Sequence, residues 1–193
     1  MTYETIQPPF TLAFRSMTKK ELGDYYLWFQ SVIPERIKIL TSDVKKTICY
    51  ENWVPDYSPE SLDTLGLWFA SKVSITAKAR EENEGAYSQI LQRFHSSGGE
   101  LTNRTFSYSI DIGMYISLVF LRNFPTVHWS HALSGKKSID FGQPVLIGFG
   151  AVPFNPVRMM ITLAYGIANR SKSGRSLREI YDYWSRQIQD SNV

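Results

Sequence analysis

The stretch Ser109–Arg122 (SIDIGMYISLVFLR) constrains this chain more than any other. Ile112, Tyr115, Ile116, Val119 and Phe120 recur at i, i+3, i+4, i+7 and i+8, the spacing of one helical face. Met114, Leu118 and Leu121 fill a second face, and Gly113 with Ser117 leaves a third face almost without side-chain bulk. A helix that is apolar nearly all round belongs in an interior. The apolar run is shorter than the roughly 20 residues that cross a bilayer, so the interior in question is that of a globular domain. The remaining chain is expected to wrap around this helix, and the Gly113/Ser117 face to lie against another backbone, that of the 156–169 helix or of a sheet.

Composition supports a domain with a sizeable core. The chain has 193 residues, 43% hydrophobic and 20% charged, the balance of one ordinary globular unit spanning 1–193. Aromatic residues reach 14%, enough to fill a core and still line a pocket or an interface. A formal charge of +3 does not make the broad basic face that nucleic acid requires. Cys49 is the only cysteine. It therefore has no partner for an internal disulfide, and a reducing compartment fits. The opening MTYETIQPPF lacks a charged segment followed by an apolar run, so it does not read as a secretory signal. Together these features point to a cytoplasmic protein without a membrane span.

Along the chain, Phe10, Leu12 and Phe14 alternate as in a short strand. Thr18 and Glu21 form a capping box, and Leu22, Tyr25, Tyr26, Phe29 and Ile33 then keep helical spacing. Pro34 is expected to interrupt that helix or to start a second one carrying Ile37, Leu40 and Val44. Ser58-Pro59 signals a helix with Leu62, Leu65 and Phe69 inward. Residues 72–85 are polar and fit a solvated helix or a connection, and Tyr87, Ile90, Leu91 and Phe94 mark a further helix. After the central helix the period falls to two. Val127, Trp129, His131 and Leu133 share a face that should turn toward the central helix, with Ile139–Phe141 as hairpin partner and Val145–Phe149 as a third strand. Asn155-Pro156 opens a largely buried helix, and Ser176 with Glu179 reads as a second capping box before the stripe Leu177, Ile180, Tyr181, Trp184, Ile188. The expected fold is α+β: about seven helices around a small antiparallel sheet, with a buried central helix near 109–122.

Residues that could carry chemistry are few. His128 and His131 are three apart on an expected strand, so they point to opposite faces and do not share a metal. Cys49 has no base beside it in sequence, and free cysteines tend to be buried. The glycine signatures of phosphate loops, nucleophile elbows and dinucleotide folds are missing. Asp111 is the acid of most interest. Placed near a helix start, it would interact with the unpaired N–H groups there. Buried, it would pair with Arg104 or Arg122 and face a pocket. Arg170, Lys172, Arg175 and Arg178 form a basic loop, and Arg178 lies early in its helix, where a positive charge is poorly placed.

The string Asp111-Ile112-Gly113-Met114-Tyr115, followed by Val119-Phe120, Trp129 and Pro144–Phe149, and preceded by Trp28-Phe29 and Ile33–Ile37, resembles a family of uncharacterised bacterial proteins of about this length. The resemblance covers most of the chain. Its central helix often continues with Gly and Glu, where this chain has Ser117 and Leu118, so a role resting on that acid does not carry over. By analogy, some small bacterial α+β proteins are immunity proteins for secreted toxins. The expected function is a non-enzymatic binding protein of the bacterial cytoplasm, with a toxin or other protein as partner and with neither cofactor nor metal. The alternative is an enzyme or small-ligand protein with a pocket beside the 109–122 helix, formed by Asp111, Tyr115, Arg122, Trp129 and His131. There Asp111 would be the acid, Arg122 an anion contact and Trp129 a stacking wall.

Overall fold

The structure, a computed structural model, describes residues 3–76 and 99–190, with side chains as far as residue 188. Thr18 opens α1 (Lys19–Lys45) through the expected capping box: its hydroxyl accepts from the Glu21 N–H, and the Glu21 carboxylate accepts from the Thr18 N–H at 2.7 Å. The helix does not stop at Pro34 but runs 27 residues through it. An interior proline forfeits a backbone hydrogen bond and costs about 3 kcal/mol. Here an unbroken stripe, Leu22, Tyr25, Phe29, Ile33, Ile37, Leu40 and Val44, is buried on both sides of it. Burying each large apolar side chain contributes roughly 1.5–3 kcal/mol, so the stripe outweighs the proline. The two helices expected over 18–46 are thus one.

The central helix, α3 (Asn103–Asn123), begins earlier than its apolar run suggests. Thr102 caps it by accepting from the Thr105 N–H. Every residue from Thr105 to Ser117 is buried. The serines in this run need no water. Ser109 and Ser117 donate to the carbonyls of Thr105 and Gly113, at 2.9 and 2.7 Å, and the Ser107 hydroxyl accepts from the Ile6 N–H. Around α3 pack α1, α2 (Ser61–Lys72), α4 (Pro156–Ala168) and α5 (Ser176–Asp190). The Gly113 face meets α4, as expected: a Cβ there would lie 3.1 Å from the Pro156 carbonyl and 3.2 Å from the Val157 nitrogen. Asn155 caps α4 by accepting from the Arg158 N–H at 3.0 Å.

The expectation of seven helices around one sheet is overturned. Among the described residues there are five helices, and the strands form two separate antiparallel pairs. β1 (Ile75–Thr76) pairs with β2 (Glu100–Leu101), and β3 (His128–His131) with β4 (Pro144–Ile147). The segment expected as a third strand is therefore the hairpin partner itself, with Trp129 opposite Leu146 and His131 opposite Pro144. Residues 139–141 form turns instead. Asp140 is held there by Arg158 at 2.7 Å and by Asn155 at 2.8 Å, which ties the loop to the start of α4. Phe10–Phe14 is not a strand, and Leu12 has φ +56°. The helix expected over 87–94 and most of the 72–85 stretch lie outside the described residues. Among the described residues, no helix is long and apolar enough to cross a membrane.

Candidate functional site

Asp111 lies in the third turn of α3, not at its start, and is completely buried. Its partner is neither Arg104 nor Arg122 but Arg36 of α1. Arg36 Nε donates to Asp111 Oδ1 at 2.8 Å and Nη2 to Oδ2 at 2.7 Å. The Tyr3 hydroxyl donates to the same carboxylate and accepts from Arg36, while Arg36 also donates to the Glu4 carbonyl at 2.9 Å. Burial pushes the Asp111 carboxyl well above its ordinary range. The bidentate guanidinium is what favours the charged form against that cost. Every polar atom of Asp111 is thus turned to the protein. The sequence carries a signal for this pair: Arg36 sits at the i+3 position of the apolar stripe Ile33, Ile37, Leu40, where a charge must be buried and matched.

The other four expected site residues do not join it. Tyr115, four residues on, is buried in a cluster with Trp53 and Tyr57, and its hydroxyl lies 2.7 Å from the Ser61 Oγ. Burial raises its phenol to about 12. Arg122 is exposed in the last turn of α3. Trp129 is half-buried, edge-on to Phe29 at 5.6 Å between ring centroids. His131 stacks on Tyr26 at 4.9 Å. The Trp129/His131 face is therefore turned to the first half of α1, where Tyr26 and Phe29 receive it, and not to the central helix as expected. Leu133, expected on the same inward face, is exposed. His128 is exposed on the other side of the strand.

His131 and Cys49 need separate notice. His131 Nε2 is buried without a hydrogen-bond partner. Burial lowers the pKa of the ring, opposed by a hydrogen bond to the Gly142 backbone. Cys49 is exposed, contrary to the expectation of a buried thiol, in a turn where its φ is +73°. Among the described residues, no group of three His, Cys, Asp or Glu side chains could hold a metal ion.

A concave site does exist, between α4 and α5. The α5 stripe is wider than the surface that α2 and α3 cover. Leu177, Tyr181 and Ile188 are buried, Ile180 and Trp184 only half-buried, and Tyr183 exposed. The uncovered edge of α5 and the Met159/Leu163 edge of α4 form the walls of an open groove of about 360 Å³, with Trp184 at the Phe149/Phe154 end. Its size falls in the range of small-molecule and side-chain sites.

On its other side α5 is fixed to α2. Arg178 donates to Asp182 at 2.9 Å, to Asp63 at 3.2 Å and to Glu60 at 3.4 Å, clamping α5 to α2. This explains a cation early in a helix without any outside partner. Gly66 and Gly174 bring α2 against the loop before α5: a Cβ on Gly66 would lie 2.1 Å from the Gly174 carbonyl oxygen. The expected capping box at Ser176 does not form. Ser176 is already the first helical residue, and its hydroxyl accepts from the Ser173 N–H instead. The groove escapes sequence reading because the α5 stripe looks like any core-facing stripe. Which of its residues stay uncovered depends on where α4 ends and α2 sits. Compared with known proteins, the chain matches no family model, no curated protein and no solved structure.

Proposed function

We propose that this chain is a non-enzymatic binding protein of the bacterial cytoplasm and that the α4–α5 groove is its binding site, with another protein as the partner. The observation that carries this reading is the uncovered apolar edge of α5. Ile180 and Trp184, packed on the core by one side only, and exposed Tyr183 turn apolar surface to an open concavity. Exposed apolar and aromatic surface that is concave, rimmed by charge and held by rigid helices is the surface proteins use to seat a partner's side chains. The polar residues of the central helix, by contrast, are turned inward to Arg36 and Ser61. An immunity-type role toward a toxin is the form of this reading suggested by analogy with small bacterial α+β immunity proteins.

The test is capture of a partner by the tagged full chain and by two surface variants, with circular dichroism to verify folding. Tyr183→Arg puts a charge on the exposed edge of the groove, and His128→Ala alters an exposed residue outside its lining. A partner retained by the wild type and by His128→Ala but lost with Tyr183→Arg supports the reading. Equal capture by all three overturns it.

A further inference from the structure

The rim of the α4–α5 groove carries two ionic side chains of opposite sign, Lys172 from the connection before α5 and Glu179 from within α5. Among the described residues neither makes an ion pair, although neighbouring Arg178 makes three. The position of Lys172 is built, not incidental. Its N–H donates to the Gly166 carbonyl at 2.9 Å. Its stem lies where a side chain on Gly166 would be, since a Cβ there would meet Lys172 Cγ at 2.6 Å. The bare last turn of α4 thus carries the lysine stem to the edge of the groove, beside the apolar walls formed by Leu163, Ile180 and Trp184.

Lys172 and Glu179 are both exposed, so a ligand with an apolar body and one charge would engage one rim group and leave the other to water. A ligand with both charges satisfies both. The groove is open and its charges lie at the rim, which suits a side chain entering from a larger molecule. We propose, resting on the groove being the binding site, that its occupant is a protein segment. This segment places one bulky apolar side chain between Leu163 and Trp184, an acidic residue at Lys172 and a basic residue at Glu179. Charge complementarity of this kind selects the orientation of a segment as well as its identity.

The experiment uses the isotope-labelled full chain and two blocked peptides, acetyl-Asp-Gly-Phe-Gly-Lys-amide and its charge-reversed counterpart acetyl-Lys-Gly-Phe-Gly-Asp-amide. The readout is the Trp184 indole N–H resonance, with free phenylalanine and the Phe-to-Ala peptides as comparators. One peptide order is expected to bind more tightly and to shift Trp184. Lys172→Glu and Glu179→Lys should each weaken that peptide about threefold, the scale of an exposed ion pair. The double variant K172E/E179K should prefer the reversed peptide. Both substituted side chains are at the rim, so folding is checked by circular dichroism and is not expected to change. If the peptides shift Trp184 equally in all variants, the charge rule is overturned and the groove remains a binding site. If free phenylalanine binds as well as either peptide, the occupant is a small molecule and the proposal fails. If no probe moves Trp184, the proposal and the assignment of the groove both fail.

Discussion

Arg36 and Asp111, 75 residues apart in the chain, meet in a two-point ion pair in the centre of the molecule, with Nε–Oδ1 at 2.8 Å and Nη2–Oδ2 at 2.7 Å. Removing the carboxylate leaves the Arg36 guanidinium charged and buried without its counter-ion, and removing Arg36 leaves a buried Asp111 carboxyl without its two-point donor. Asp111→Asn and Arg36→Met should each lower stability by about 3–5 kcal/mol. The double substitution should cost clearly less than the two singles together. Urea denaturation of all four proteins measures this, and strict additivity would show that the pair is not coupled in solution.

Gly113 tests the packing of α3 on α4. The Pro156 carbonyl lies 3.1 Å from where its Cβ would be, and that atom belongs to a capped helix start that cannot yield easily. Gly113→Leu should lower stability by roughly 1–3 kcal/mol through overpacking. Thermal denaturation is the measurement, and an unchanged midpoint would mean the two backbones are further apart than described.

The two faces of β3 should differ. Trp129 is half-buried against Phe29, so Trp129→Ala should cost about 3 kcal/mol, the low end for a large aromatic. His128 is exposed on the opposite face, and His128→Ala should change stability by less than about 0.5 kcal/mol. Equal effects in urea titrations would contradict the alternation.

His131 should make stability fall in mild acid. Burial lowers its folded pKa below the ordinary 6.5, while the unfolded chain keeps the ordinary value. Between the two values the unfolded state holds more protons, so the contribution of His131 is present above about 6.5 and is lost as pH falls below it. His131→Gln should flatten that part of the stability–pH curve. A slope unchanged by the substitution would assign the effect to other groups.

Features fixed by local chemistry were legible in the sequence. Thr18 with Glu21 and Asn155 cap where their spacing says, and Gly113 marks a close approach of two backbones because a missing side chain has few other uses inside an apolar helix. What was not legible depends on distant partners. Pro34 reads as a boundary until one sees the buried stripe on both sides of it. Val145 reads as a third strand because the length of the hairpin loop is set by Asp140, Asn155 and Arg158, residues that meet only in the fold. Arg178 looked misplaced because Glu60 and Asp63 lie more than a hundred residues away. The same holds for the groove, since nothing within α5 says that Trp184 stays uncovered while Tyr181 does not.

The Tyr3–Arg36–Asp111 cluster also bears on how this chain emerges from a ribosome. Tyr3 and Arg36 are made early, but the carboxylate that both contact is 108 and 75 residues downstream. Until that residue leaves the exit tunnel, α1 has neither its counter-ion nor the central helix that packs on it. The first third of the chain must therefore wait, with an apolar stripe open to water, through several seconds of synthesis at about 5–20 residues per second. A nascent-chain pause placed before Asp111 should leave α1 a substrate for chaperones, and one placed well after it should not.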